Sequence, residues 1–164
     1  MQTRDQEKYR ILFVCVHNSA RSQMAEAFLR EFGGNRYHAE SAGLEPGKIN
    51  PVVVEVMQEV GIDLSRKETR DVQSVFLAGA RFDAVITVCD AAHSEKCPVF
   101  PGVKKRIQWF FDDPSSFRGT RQEILERTRM VRDQVEKRVR EWIRQTREPG
   151  FWDPGDPEGN ISGQ

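Results

Sequence analysis

The segment Cys15-Val16-His17-Asn18-Ser19-Ala20-Arg21-Ser22 holds the residues best equipped for chemistry: a thiol, a guanidinium six positions later, and a hydroxyl directly after that. A thiolate is a nucleophile, and a planar guanidinium grips two oxygens of a tetrahedral anion through paired N–H groups. The Ser22 hydroxyl is placed to hydrogen-bond the sulfur. If the segment bridges a strand and a helix, the main-chain amides of Val16, His17, Asn18, Ser19, Ala20 and Arg21 and the positive end of the helix dipole form a cradle for an oxyanion. The same positive field favours the ionised sulfur, the form that attacks. The plainer alternative is a buried core cysteine at a strand end. Cys, five spacers, Arg and Ser in that context favour the chemical reading.

Two further thiols, Cys89 and Cys97, lie eight positions apart around the polar stretch Asp90-Ala91-Ala92-His93-Ser94-Glu95-Lys96. Three cysteines are an odd number, and the polar start from Met1 to Lys8 has no apolar export segment, so a structural disulfide framework is not expected. Free, catalytic or redox-cycling thiols remain. Zinc held by Cys89, His93 and Cys97 is an alternative that lacks a fourth ligand and a usual spacing. Two unrelated buried thiols are another. Asp113, ahead of Pro114, reads in isolation as a turn residue.

Chemistry of this kind needs elements that hold the loop in place. Ile11-Leu12-Phe13-Val14 is an apolar run without alternation, as expected of a strand buried on both faces of a parallel sheet, and it leads straight into Cys15. From Arg21 the spacing turns helical, with Met24, Ala25, Phe28, Leu29 and Phe32 on one face and Gly33-Gly34 as the stop. Tyr37 to Ala42 makes a second strand. Asn50-Pro51 supplies an N-cap and first-turn proline for a helix carrying Val53, Val56, Met57 and Val60.

Val72 to Ala78 is a short helix, and Phe82 to Val88 is a strand ending at Cys89. Arg106 to Phe111 is a further strand, followed by a turn at Asp112-Asp113-Pro114-Ser115. Thr120-Arg121-Gln122-Glu123 is a capping box that opens a long helix with Ile124, Val131, Val135, Val139 and Trp142 on its buried stripe. The alternation predicts an α/β fold: one domain over residues 1–148, a parallel four-stranded sheet with helices on both faces. Residues 149–164 are rich in Gly, Pro and Asp and read as a flexible tail, in which Phe151 and Trp152 have no assigned partner. Doubly wound sheets bind ligands beyond the carboxyl ends of their strands, which places Cys15, Cys89 and Asp113 at one edge.

Composition narrows the partners. Lys plus Arg and Asp plus Glu both number 25 in 164 residues, so no global charge draws the chain to nucleic acid or a membrane surface, and any anion site is local. No apolar run approaches the roughly 20 residues of a spanning helix, and a soluble cytoplasmic protein is the expectation.

The string Cys15 to Arg21 followed by Ser22 resembles the phosphate loop of the low-molecular-weight protein tyrosine phosphatases. Its extension through Gln23-Met24-Ala25-Glu26-Ala27 looks like that of their arsenate-reductase relatives of the thioredoxin-coupled type. The likeness continues through Ser41-Ala42-Gly43, Val85-Ile86-Thr87-Val88-Cys89, Cys97-Pro98 and Phe111-Asp112-Asp113-Pro114, covering most of residues 10–145.

The resemblance implies a nucleophilic Cys15, a Cys15/Cys89/Cys97 disulfide relay that yields arsenite and is regenerated by thioredoxin or a similar thiol, and Asp113 as general acid, with Asp112 a weaker candidate. It implies binding of arsenate, phosphate or sulfate and no tightly bound cofactor. It further implies a potassium site near Asn18, Glu26, Ser41 and Asp71, although Glu26 reads equally as a surface helix residue. Cys89 and Cys97 stand one residue farther apart than that pattern. The relay needs motion of the loop between them, because a disulfide requires Cα atoms within about 7 Å. Ser115-Ser116 stand where phosphatases of this type carry aromatics, which suits a small inorganic anion. The same scaffold also supports a phosphatase that hydrolyses phosphomonoesters through a Cys15 phosphoenzyme. A non-catalytic oxyanion-binding or zinc-binding module is the remaining class.

Overall fold

The computed structural model describes residues 8–88 and 102–153. A four-stranded sheet is built from β1 (Tyr9–Cys15), β2 (Tyr37–Gly43), β3 (Ala84–Thr87) and β4 (Lys105–Gln108), in the order β2-β1-β3-β4 with every pairing parallel. The helices are α1 (Arg21–Gly33), α2 (Pro51–Gln58), α3 (Val72–Leu77) and α4 (Arg121–Thr146). No helix among the described residues is long and apolar enough to cross a membrane.

The unbroken apolar run of β1 now has its cause. Ile11, Phe13 and Cys15 face a core completed by α1, α2 and α4, while Leu12 and Val14 face a second core completed by Val72 and Val75 of α3. Successive side chains of a strand point to opposite faces, so a strand covered on both sides must be apolar at every position. The helices therefore occupy both faces, as expected. β1 is also the switch point, with β2 on one side and β3 on the other, and such a point opens a crevice at the carboxyl ends of the strands.

Local signals set most boundaries. Asn50 Oδ1 accepts from the Val52 and Val53 amides at 2.8 and 3.4 Å, with Pro51 in the first helical turn. Thr120 and Glu123 form the reciprocal capping box of α4. Other positions differ from expectation. α2 ends at Gln58, which leaves Val60 41% exposed and off the buried stripe. β4 runs over Lys105–Gln108 and stops short of Phe111 because the chain turns inward at Trp109, which is buried against Phe13 and Trp142. On α4 the fully buried face begins at Leu125 and Thr128, with Ile124 only partly covered.

Phe151 and Trp152 find partners. Trp152 stacks on Tyr9 with ring centroids 4.2 Å apart and planes 10° from parallel, and Phe151 packs edge-on against Trp142 at 6.1 Å. The chain is thus anchored as far as these two residues.

Candidate active site

Where β1 ends, Cys15 is 2% exposed and the chain wraps back over its sulfur. The Asn18 amide donates to Cys15 Sγ at 3.2 Å, and Ser22 Oγ lies 2.9 Å from the same sulfur. Asn18 Nδ2 donates to Ser22 Oγ at 2.8 Å. Because that oxygen already accepts from Asn18, the hydroxyl proton is free to point at Sγ, so two donors converge on the sulfur. α1 starts at Arg21 with no side-chain cap and no acidic residue in its first turn, which leaves the positive end of its dipole on the loop.

The loop needs a backbone that bends unusually. Asn18 takes φ of 55°, in the left-handed region where Asn is among the few tolerated side chains. Its side chain is locked there: Oδ1 accepts from the Arg70 amide at 2.8 Å and from Gln23 Nε2 at 3.2 Å. Gln23 Nε2 also reaches the carbonyls of Asn18 and Glu68. Behind the loop, a Cβ on Gly43 would lie 2.8–2.9 Å from the backbone of Val16, His17 and Asn18, so only glycine lets the end of β2 approach that closely. The Leu44, Glu45 and Gly47 amides then donate to the carbonyls of Cys15, Val16 and His17, which turns the loop carbonyls away from its concave side.

Arg21 is buried and crosses to the far wall, where Nη1 donates to the Phe111 carbonyl at 3.1 Å and Nη2 lies 3.4 Å from Asp113 Oδ2. Asp113 Oδ1 caps the short turn Pro114–Ser116 by accepting from the Ser115 amide at 3.0 Å. Cys15, His17, Ser19, Ala20, Arg21 and Asp113 line one narrow cleft. The Asp113 turn is tied to the loop through Asn50, whose Nδ2 donates to Ser115 Oγ at 3.0 Å and whose amide donates to the Ser19 carbonyl at 2.9 Å. His17 sits at the rim, its Nδ1 2.9 Å from the Glu45 carbonyl, which can only accept.

Of the residues singled out in the sequence, the structure brings together Cys15, Ser22, Arg21, Asp113 and the loop from Val16 to Ala20. Cys89, His93 and Cys97 lie outside the described residues. β3 and the residue after it run beside β1, with the Val88 amide donating to the Val14 carbonyl at 2.8 Å.

The side chains of the four residues of the implied potassium site make hydrogen bonds and ion pairs within the protein. Glu26 is 2% exposed and is no surface residue; its carboxylate takes the Ser41 hydroxyl at 2.6 Å, Lys67 Nζ at 2.8 Å and Arg30 Nη2 at 2.9 Å. Asn18 Oδ1 is engaged as above, and Asp71 caps α3 by accepting from the Gln73 amide at 3.0 Å.

Sequence reading missed Gln23, Asn50, Lys67 and Arg70 as parts of the site. Asn50 carried a signal, its capping position, but the others act through contacts 41 to 52 residues away that no local pattern encodes.

A parallel sheet whose first strand opens into a cysteine-initiated loop at a helix N-terminus, with a carboxylate on the facing turn, defines a phosphatase-like scaffold. The chain belongs to the low molecular weight phosphotyrosine protein phosphatase family, whose model matches residues 10–149. It is similar to the arsenate reductase of Bacillus subtilis, 40% identical over 132 residues, 80% of this chain and 93% of the relative. A solved arsenate reductase in the phosphate binding state matches with a TM-score of 0.69 and 30% identity, covering 84% of this chain and 98% of the other. A thioredoxin-dependent arsenate reductase of Corynebacterium glutamicum matches at 0.61 and 30% identity, over 85% of this chain and 64% of that one.

Proposed function

We propose that this protein is an arsenate reductase whose Cys15 thiolate attacks the arsenic of arsenate. The observation that carries the reading is the sulfur itself, held at the base of an anion loop under two donors, with Arg21 and Asp113 across the same cleft. Relatives and solved neighbours named for arsenate reduction support the choice of substrate. Ser115, engaged by Asn50, lies beside Asp113 and provides no aromatic face for an aryl phosphate.

The chemistry runs in three steps. Cys15 Sγ forms a bond to arsenic while Asp113 gives a proton to a departing oxygen, which leaves as water; Arg21 and the loop amides hold the remaining charge. Cys89 then attacks Cys15 Sγ. The S–As bond breaks with its electron pair passing to arsenic, which is reduced from the pentavalent to the trivalent state and leaves as arsenite, while Cys15 and Cys89 are oxidised to a disulfide. Cys97 attacks Cys89, freeing the Cys15 thiolate and leaving a Cys89–Cys97 disulfide for thioredoxin or a similar dithiol to reduce. Residue 88 lies against the end of β1, which supports Cys89 as the resolving thiol.

Mass spectrometry after arsenate addition tests the scheme. The wild type is expected to accumulate a Cys89–Cys97 disulfide. Cys89→Ser is expected to form the Cys15 adduct yet lose multiple turnover. Undiminished turnover in that variant refutes the relay, and free thiols throughout, with rapid aryl phosphate hydrolysis, select a phosphatase instead.

A further inference from the structure

We infer that the Lys67 ammonium is a built-in cation that holds the anion loop from behind, in place of the potassium ion that the family resemblance implies. The buried Glu26 carboxylate needs positive charge, because a carboxylate removed from water is tolerated only when paired. Lys67 Nζ supplies it at 2.8 Å, with Arg30 at 2.9 Å and the Ser41 hydroxyl at 2.6 Å completing the ring of donors. The Glu26 side chain is 3% exposed and that of Lys67 32%, so the ammonium sits on the water side of the carboxylate, where an incoming cation would have to stand. Two cations already face a single carboxylate, and a third charge of the same sign would be repelled. Asn18 Oδ1 is already engaged with Arg70 and Gln23, and Asp71 is turned to its own helix, with Oδ1 on the Gln73 amide and Oδ2 3.5 Å from Ser74 Oγ.

The position gives the ammonium a role in the site. Lys67 pins the start of the segment that continues through Glu68, whose carbonyl receives Gln23, to Arg70, whose amide holds Asn18. Asn18 in turn orients Ser22 and donates to the Cys15 sulfur. Lys67 is thus a positioning residue, acting on Cys15 through Asn18 and independently of which substrate the cleft takes.

The test compares the full chain in potassium chloride and choline chloride at matched ionic strength. It reads the melting temperature and the rate of Cys15 alkylation by iodoacetamide, counted by peptide mass. The wild type is expected to give the same values in both salts. Lys67→Met is expected to melt roughly 4–8 °C lower in choline, alkylate Cys15 several-fold more slowly, and recover part of both in potassium; Lys67→Arg keeps wild-type values. Saturable stabilisation of the wild type by potassium overturns the inference. So does a Lys67→Met variant that alkylates like the wild type in either salt, which would leave only an ordinary ion pair. Should Lys67→Met fail to fold, the salt comparison on the wild type decides alone.

Discussion

Replacing Ser22 with alanine isolates the smallest unit of the site. Its hydroxyl accepts from Asn18 at 2.8 Å and stands 2.9 Å from Cys15 Sγ, so Ser22→Ala removes one of two donors to the sulfur and leaves Asn18 Nδ2 unpartnered. A hydrogen bond to a charged acceptor contributes about 1.5–3 kcal/mol, which corresponds to a roughly ten- to hundredfold slower alkylation of Cys15 at neutral pH. A loss of that size in alkylation, with the melting temperature little changed, is the expected pattern; an unchanged rate would show that Ser22 does not support the anion. At this scale the sequence was most informative. Cys15, Arg21 and Ser22 are neighbours along the chain, and the spacing alone brings them together. Apart from the family resemblance, Asp113 was legible only as a residue past a strand end, because its partnership with Arg21 spans 92 positions.

Elements carry a second layer that periodicity does not display. Alternating strand and helix signals sufficed for the sheet, its parallel sense and the two-faced burial of β1, since those follow from local pattern and the handedness of crossovers. The cross-ties between elements were not legible, being set by packing. Glu40 on the edge strand β2 is one: its carboxylate takes Arg70 at 2.7 Å, Arg10 at 2.9 Å and His38 at 2.7 Å. Burial raises its pKa, but the hydrogen bonds from Arg70, Arg10 and His38 and the charge of Arg70 outweigh burial and hold it at about 2 against an ordinary 4.5. The folded state therefore binds that proton less readily than the unfolded chain, and the tie stabilises fully above pH 4.5 and is lost as pH falls toward 2. Glu40→Gln should lower the melting temperature at pH 7 by about 2–4 °C, a modest figure because the three partners are exposed enough for the interaction to be screened. It should also flatten the acid limb, so that variant and wild type converge near pH 2. Melting curves that stay parallel from pH 7 to 2 would exclude the tie as a source of acid sensitivity.

The whole molecule separates its tasks between the two ends of one sheet. Cys15 closes β1 at the carboxyl end, where the candidate site lies, while Tyr9 opens it about 20 Å away, at roughly 3.3 Å per residue. At that far end Trp152 stacks on Tyr9, Phe151 lies against Trp142 and beneath Lys105, and the Tyr37 hydroxyl bonds Thr146 in the last turn of α4. Residues past the long helix thus clamp the starts of β1 and β4, though their sequence, rich in Gly and Pro and without periodicity, predicted a loose tail from Pro149 onward. Docking of that kind depends on two aromatic side chains meeting a surface assembled from three other elements, which no window of sequence contains. Ending the chain after Glu148 removes the Tyr9 stack and the cover over Trp142. Lost burial of two aromatics, partly compensated by repacking, is expected to cost about 2 kcal/mol and to lower the melting temperature by roughly 4–8 °C. Because the clamp is remote from the cleft, Cys15 alkylation and turnover measured well below the transition should stay within about twofold of the full chain. A truncated protein that melts as before would show that the clamp adds no stability, and one that melts lower but also loses Cys15 reactivity in the cold would show that the two ends of the sheet are coupled.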